Sequence, residues 1–198
     1  MVEDLDVEGI HVRVYRPPGE SPKPGVIYFH GGGWVMGSCE THDDMCAELA
    51  DQADVVVVMV DYRLAPEHPH PAQLEDSHKV LAWMRSAGRA LGIDPTHIIA
   101  AGDSAGGQMT AALAQSLRDQ GLPQLRGMVL IYPVLGADTE TGSYIRNAHA
   151  PCLTRDEMIA VFAERGGDPQ RVGKKDPLDS LLWQAERAGE PAWDSAIG

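Results

Sequence analysis

The chain has 198 residues, 43% of them hydrophobic, with 29 acidic and 16 basic side chains and a formal net charge of -13. This length and composition predict one soluble globular domain over residues 1–198, built around a single substantial core. The excess of negative charge disfavours nucleic acid and anionic membrane surfaces as partners.

The amino-terminal residues MVEDLDVEG are acidic where a secretory signal needs basic and then apolar residues, and no segment has the length of a membrane span. A cytoplasmic location is therefore expected. Cys39, Cys46 and Cys152 lack the paired spacing of a zinc site, and we expect reduced, partly buried thiols. His68 and His70 stand beside prolines without nearby cysteine or carboxylate ligands, so no metal site is predicted.

Two segments near the amino terminus predict strands. IHVRVYRP alternates apolar and polar side chains, which is typical of a half-buried strand near a sheet edge. GVIYFHGGG predicts a second strand that runs into a glycine loop. A helix is expected over 41–53, with Thr41 and Asp44 placed like a capping box. Its inward face is predicted to comprise Met45, Cys46, Leu49, Ala50 and Ala53.

The middle of the chain alternates strands with helices. VVVVMVDY is an uninterrupted apolar run rich in β-branched residues, which indicates a central strand covered on both faces. A helix over 72–88 follows, with Leu74, Leu81 and Met84 inward. HIIAAGD predicts the next buried strand, 104–119 the next helix, and GMVLIYPVL one more strand. This order indicates parallel βαβ units in a three-layer α/β sandwich with a mostly parallel central sheet.

Beyond Leu135 the pattern changes. Residues 136–180 contain one predicted helix, 154–164, which begins at Thr154 and is stopped by Gly166 and Gly167. The last twenty residues have no apolar run long enough for a central strand.

Ser104 is the candidate nucleophile. It lies at the centre of GDSAG, residues 102–106, between a predicted buried strand and a predicted helix. This is the context of a nucleophile elbow, in which small neighbours permit a tight turn that exposes the serine hydroxyl. The amino terminus of the helix beyond it favours developing negative charge.

The sequence HGGGW, residues 30–34, also follows an apolar strand. Ester hydrolysis passes through a tetrahedral intermediate with a negative oxygen, and fixed backbone N–H groups can stabilise that oxygen by several kcal/mol. The donors that we predict are Gly32, Gly33 and Ala105. A flexible turn is the simpler interpretation of three glycines, and a phosphate loop is disfavoured because its lysine and serine are absent.

The two motifs, in this order and each after a strand, resemble those of the hormone-sensitive-lipase-like family of α/β-hydrolase carboxylesterases. The resemblance continues through DYRLAPEHPHPAQLEDS and GSYIRNAHAPCLTRDEM to DPLDSLL. It implies an esterase of short acyl esters, with Ser104 as nucleophile and no metal or organic cofactor. It also implies a cap-like insertion over 136–180, a structural hydrogen-bonding role for Asp103, and a loop-fixing role for His30.

The acid and the base of a catalytic triad are not evident. In this fold the order along the chain is serine, acid, histidine, and His149 is the only histidine after Ser104. The only aspartates between them are Asp119, at a helix end, and Asp138, after the GMVLIYPVL strand. A triad of Ser104, Asp138 and His149 is conceivable on order alone. The resemblance, however, places His149 in the cap, upstream of the family's catalytic histidine.

Asp176 in DPLDSLL has the neighbours of the family's catalytic aspartate, but GGDPQRVGKK before it cannot be a buried strand. The segment instead resembles an earlier family stretch whose aspartate is not catalytic. We therefore expect the chain to stop before two further strands, the acid and the base. The strand over 128–135 would then have an unpaired apolar edge, which predicts a homodimer or aggregation unless the tail covers it.

Two functions are compatible with these features. The first is a carboxylesterase, impaired because acid and base are not found; the second is a non-catalytic hydrolase-like protein or fragment that retains a binding pocket. A phosphate- or nucleotide-binding domain is disfavoured by the missing fingerprints and the acidic charge.

Overall fold

The computed structural model describes residues 1–166, and those residues form one six-stranded sheet with helices on both faces. The strands are β1 (Val2–Val7), β2 (Ile10–Tyr15), β3 (Lys23–Phe29), β4 (Val56–Val60), β5 (Ile93–Asp103) and β6 (Met128–Ile131). The helices are α1 (Asp43–Ala53), α2 (Ala72–Ala87), α3 (Ala105–Asp119), α4 (Gly142–Arg146) and α5 (Arg155–Arg165).

The strand order is β1-β2-β4-β3-β5-β6. β3 pairs in parallel with β4 and β5, and β5 pairs in parallel with β6, whereas β1 and β2 are antiparallel to their neighbours. In this register Phe29 lies opposite Gly102, and Gly102 lies opposite Leu130. β3 and β5 therefore end at the same edge of the sheet. The mostly parallel central sheet expected from the sequence is confirmed.

Side chains of the central strands alternate between two cores because successive residues of a strand point to opposite faces. Val58 of β4 and Ile27 of β3 pack in the core that includes residues of α2 and α3. Val57 and Tyr28 pack in the other core with Cys46 and Ala50 of α1. All five residues of β4 are buried. The three-layer arrangement follows from this alternation.

Several local predictions were wrong. The sequence interpretation missed β1, which pairs with β2 through a turn at Glu8 and Gly9, and it also missed the short α4. No capping box begins α1: its cap residue is His42, which makes no side-chain capping bond, and Thr41 bonds Ser38 instead.

The inward face of α1 is also narrower than predicted. Cys46 and Ala50 are buried, but Met45 and Ala53 are exposed because the helix covers the sheet along only one stripe. The expectation of partly buried thiols needs correction as well: Cys39 and Cys46 are fully buried, whereas Cys152 is exposed on the segment after α4.

The last described strand, β6, has a free edge. β6 pairs with β5 on one side only, and Met128 and Val129 are 49% and 47% exposed. Tyr132 and Leu135, which follow β6, are 73% and 48% exposed. Among the helices of residues 1–166, none is long and apolar enough to cross a membrane.

Candidate active site

Ser104 occupies a tight turn between β5 and α3. Its backbone has φ 52° and ψ -115°, a conformation that L-amino acids rarely adopt. Ile131 O accepts from the Ser104 N–H at 2.9 Å, and Ser104 O accepts from Val134 N–H at 3.2 Å, so the end of β6 supports the turn. The Ser104 hydroxyl does not cap α3, and the side chain is only half-buried. The hydroxyl is therefore available to an external group.

Two glycines make this turn possible by leaving room for backbone. A Cβ at Gly106 would collide with Phe29 O and would lie 2.7 Å from His30 O. A Cβ at Gly102 would collide with Gly106 O and would lie 2.7 Å from Phe29 O. The first turn of α3 thus packs directly on the backbone that leads into the glycine turn.

Asp103 joins the serine turn to the glycine turn. Its Oδ1 accepts from Tyr28 O–H at 3.0 Å and from Gly31 N–H at 3.1 Å, and His42 Nε2 lies 3.2 Å away. Burial acts to raise the pKa of Asp103, but these contacts, led by His42, outweigh burial and leave the pKa below its usual value. A charged Asp103 therefore fixes Gly31 beside the serine turn.

The glycine turn itself has a left-handed backbone. Gly32 has φ 118° and Gly33 φ 61°. Gly32 O accepts from Val35 N–H at 3.1 Å and from Met36 N–H at 3.0 Å. Among residues 1–166, no backbone group accepts from the N–H of Gly32 or Gly33. Ala105 N–H belongs to the first turn of α3, where amides have no acceptor within the helix.

His30 lies beneath the glycine turn. It is fully buried, its ring stacks on Tyr62 with centroids 4.2 Å apart, and its Nδ1 is 2.7 Å from Gly31 O. Burial lowers its pKa, so the neutral ring is favoured. Tyr62 O–H donates to His30 O at 2.8 Å. These contacts suit a residue that holds the loop.

Trp34 anchors the other end of the glycine turn. The side chain is fully buried with φ 66°, and its Nε1–H donates to Gln108 Oε1 of α3 at 3.1 Å. α5 packs over it: Phe162 lies 6.0 Å away between ring centroids, and the Arg165 guanidinium is 4.6 Å above the indole ring. Burial lowers the pKa of Arg165 to about 10.

The in-order candidates for acid and base are not joined to Ser104. His149 is exposed, and Asp138 is exposed and accepts from Glu140 N–H at 2.8 Å. Over residues 1–166 no hydrogen bond links Ser104, Asp138 and His149 to one another. Asp176 lies outside the described residues. The hydrogen bond from Gly31 N–H to Asp103 Oδ1 places the glycine turn beside the serine turn. Within residues 1–166, no hydrogen bond joins a histidine or carboxylate side chain to Ser104.

Several residues that hold this site were not identified from the sequence: Tyr28, His42, Tyr62 and Gln108. Tyr28 and Gln108 contact partners more than 70 residues away, which no local pattern reveals. His42 lies in the loop that follows HGGGW, and this position is a weak signal for a role at the site.

Comparison with known proteins identifies the family. A family model described as alpha/beta hydrolase fold matches residues 26–191. The chain belongs to the α/β-hydrolase family. Within the α/β hydrolases, the resemblance to hormone-sensitive-lipase-like carboxylesterases is also confirmed by the names of similar proteins.

The α/β hydrolases similar to this chain include two from Mycobacterium tuberculosis. Carboxylesterase NlhH is 48% identical over 78% of this chain and 49% of its own length. Esterase LipI is 46% identical over 82% of this chain and 52% of its own length. The chain thus spans about half the length of these curated relatives.

A solved structure gives the same result. The hyperthermophilic esterase from the archaeon Pyrobaculum calidifontis has a TM-score of 0.81 and 41% identity, over 86% of this chain and 58% of that one.

Proposed function

We propose that this chain carries the nucleophile and oxyanion hole of a carboxylic ester hydrolase that acts on short acyl esters. Ser104 Oγ attacks the acyl carbon, and the N–H groups of Gly32, Gly33 and Ala105 donate to the oxygen of the tetrahedral intermediate. The Ser104 hydroxyl proton passes to solvent water, and the C–O bond to the alcohol breaks as the leaving oxygen takes a proton from water. A water molecule then attacks the acyl-serine, which releases the carboxylic acid and restores the Ser104 hydroxyl. These steps need no metal and no organic cofactor.

One observation carries the proposal: the 3.1 Å bond from Gly31 N–H to Asp103 Oδ1 joins the glycine turn to the serine turn. The turns leave neighbouring strands at the same level, as the pairing of Phe29 with Gly102 requires. Donors placed near an electrophile's oxygen before the reaction need no reorganisation during it. The contact therefore supports acyl transfer over a fortuitous glycine turn.

We also propose that these 198 residues hydrolyse esters only weakly. Within residues 1–166 no hydrogen bond joins a histidine or carboxylate side chain to Ser104, and residues 167–198 contain no histidine. Loss of the base lowers the turnover of a serine hydrolase about a million-fold, while the oxyanion hole and binding retain about a thousand- to ten-thousand-fold over water. Slow acylation of Ser104 is the expected activity.

The test is hydrolysis of p-nitrophenyl acetate by the full chain, with mass spectrometry of the protein after exposure to a fluorophosphonate. We expect slow, stoichiometric modification of Ser104, absent from Ser104→Ala and retained by Ser86→Ala, an exposed serine of α2. Modification that is indifferent to Ser104 would contradict the nucleophile. Rapid turnover lost in both Ser104→Ala and His149→Ala would contradict the impairment.

A second candidate function is a non-catalytic hydrolase-like protein that keeps only a binding pocket. The exposure of His149 and Asp138, and the absence of a hydrogen bond from either to Ser104 in residues 1–166, favour it. In that case a short-chain ester stabilises the protein against heat without consumption of the ester. The same fluorophosphonate experiment distinguishes the two functions, because a pocket without a nucleophile is not modified.

The contacts of α5 support the described part, residues 136–166, of the cap predicted over 136–180. Val161 lies against Gly33, such that a Cβ added there would be 3.1 Å from Val161 Cγ1. Met158 and Phe162 are buried in the core that contains Trp34. An acyl group beside the glycine turn would therefore contact α5, which would limit its size.

The exposed edge of β6 supports self-association. Its apolar residues could pair with β6 of a second copy, which would bury Met128 and Val129. Light scattering should show a dimer that Val129→Lys converts to monomer, whereas Val2→Lys at the opposite edge, where Val2 is 54% exposed, should not. A wild-type monomer at all concentrations would contradict this.

A further inference from the structure

Three potential metal ligands lie close together at the amino-terminal hairpin of β1 and β2. They are His11 on β2, Asp61 directly after β4, and Cys39 on the loop that follows the glycine turn. Their ligand atoms all lie within 4.8 Å of one another. β2 and β4 are neighbours, and Asp61 N–H donates to His11 O at 3.0 Å, so the sheet itself fixes two of the three positions.

We propose that His11, Cys39 and Asp61 bind a zinc-class divalent cation. One thiol, one imidazole and one carboxylate form a donor set that suits Zn²⁺, whereas Mg²⁺ and Ca²⁺ prefer oxygen ligands alone. Three protein ligands leave the fourth tetrahedral position to a water molecule.

The imidazole of His11 has the surroundings of a metal ligand. Its Nδ1 faces Asp61 Oδ2 at 2.6 Å, and its Nε2 faces Asp4 Oδ1 at 3.4 Å. A histidine that binds a metal through one nitrogen commonly donates the proton of the other to a carboxylate, which fixes the tautomer. Asp4, whose Oδ1 lies closest to Nε2, would take that role. With an ion bound, Nε2–H donates to Asp4 and the Nδ1 lone pair binds the ion.

The carboxylate of Asp61 is also oriented. Cys39 N–H donates to Asp61 Oδ1 at 2.6 Å, which leaves Oδ2 facing His11. Ligands of zinc lie about 3.3–3.8 Å apart, given bonds of about 2.0–2.3 Å. An ion would therefore separate Nδ1 from Oδ2 and draw Sγ towards them by up to about 1 Å.

Cys39 supplies the sulfur. The residue is fully buried, and its Sγ makes a weak contact with Met59 O at 3.9 Å. Burial raises the pKa of the thiol, and the neighbouring Asp61 raises it further, although Arg13 acts in the opposite direction. An entering cation binds the thiolate and releases one proton from Cys39 to solvent.

The cluster is accessible and its charge is favourable. The side chains of His11 and Asp61 are 41% and 24% exposed, so an ion can enter from solvent. Arg13, the neighbouring cation on β2, pairs with the carboxylates of Asp4, Glu40 and Asp43. The net charge of -13 attracts divalent cations.

The experiment titrates the reduced, chelator-treated full chain with Co²⁺ and follows absorption. We expect one equivalent to bind with a thiolate-to-cobalt charge-transfer band and tetrahedral ligand-field bands, and Zn²⁺ to displace it. Cys39→Ser should remove the charge-transfer band. Asp4→Asn should weaken Co²⁺ binding about 10- to 100-fold, as expected for a residue that orients a ligand.

Matched controls are Cys152→Ser, at an exposed cysteine, and His97→Gln, whose Nδ1 lies 2.8 Å from Asp94 Oδ2 in an exposed histidine–aspartate pair. Both should bind Co²⁺ as the wild type does. If Cys39→Ser fails to fold, His11→Gln decides, because the His11 side chain is partly exposed. The proposal is overturned if folded wild type gives no charge-transfer band, or if the band survives Cys39→Ser or His11→Gln. A band lost in Cys152→Ser also overturns it.

Discussion

The turn at Ser104 and the loop residues Asp138 and His149 differ in how many contacts hold each in place. Hydrogen bonds to Ile131 and Val134 hold the backbone of Ser104, and the glycine contacts on either side limit its position. Asp138 accepts one bond from Glu140, two residues away, and His149 is exposed. The candidate nucleophile is therefore fixed by strand ends and close backbone packing, whereas the two candidate partners have only local or solvent surroundings.

This difference teaches that the two requirements of serine catalysis depend on different parts of a fold. Oxyanion donors are backbone amides, so a sheet register and a few glycines are sufficient to place them. A general base is a side chain that must reach hydrogen-bond distance of the serine, which needs a further segment to position it.

The largest expected effect tests the packing of the Ser104 turn. In Gly106→Ala the new methyl group would collide with Phe29 O, a backbone atom that cannot rotate away. We expect a loss of about 3 kcal/mol or more in the free energy of unfolding, measured in urea. Gly136→Ala is the matched control, because nothing lies within 4 Å of the added Cβ. Equal losses in both variants would show that the turn is not held by this contact.

The next effect concerns the bond between the two turns. Asp103→Ala leaves Gly31 N–H and Tyr28 O–H without their acceptor, which should cost about 2–3 kcal/mol in urea unfolding. The fluorophosphonate reaction at Ser104 should also slow, because Gly31 is released. If the free energy of unfolding of Asp103→Ala lay within about 0.5 kcal/mol of wild type, Asp103 would not be what holds the two turns together.

The charge of Asp103 gives this effect a pH dependence. The folded pKa lies below the usual value, so the ionised carboxylate stabilises the protein above about pH 4, and this stabilisation is lost as the pH falls through the folded pKa. Asp103→Asn cannot titrate. The stability difference between wild type and Asp103→Asn should therefore shrink on acidification below about pH 4, and a constant difference would contradict the charged state.

A smaller effect tests the conformation of Ser104. Glycine adopts a backbone with φ 52° and ψ -115° more readily than serine does. Ser104→Gly should therefore be about 1 kcal/mol more stable than Ser104→Ala in thermal unfolding. A Ser104→Gly variant no more stable than Ser104→Ala would mean that the turn is not strained.

The smallest expected effect lies in the loop residues. His149→Ala should change stability by less than about 0.5 kcal/mol and leave the reaction of Ser104 unchanged, because the ring is exposed. A loss of Ser104 reactivity in His149→Ala would contradict the view that His149 is not joined to the serine turn. It would show that the histidine reaches the serine in solution.

The sequence predicted the sheet where a single strand carried its own signal. β4 is apolar along its whole length, and GDSAG and HGGGW stand at strand ends where small residues are required. β1 was missed because its apolar residues are spaced irregularly among acidic ones, and only pairing with β2 makes it a strand. β1 is therefore stable as a strand only within the β1–β2 hairpin.

The site was predictable from the sequence only where its residues lie in short local motifs. Gly32, Gly33, Ser104 and Ala105 lie in short motifs, whereas the partners of Asp103 come from β3 and from His42, which lies between the glycine turn and α1. Side-chain contacts between distant segments leave no local pattern. The wrong prediction for α1 has a similar origin, since Thr41 could bond the helix or Ser38, and tertiary packing decided for Ser38.

The alignment of Phe29 with Gly102 across β3 and β5 makes the chemistry sensitive to deletions far from it. Successive side chains of a strand point to opposite faces of the sheet. Removal of one residue within β5 would therefore turn the side chains on one side of the deletion to the opposite face, and would shift Ser104 by about 3.3 Å along the strand. Such a change would leave both sequence motifs intact while it separated the Ser104 hydroxyl from the amides of the proposed oxyanion hole. The position of Ser104 relative to the glycine turn thus depends on the number of residues in β3 and β5.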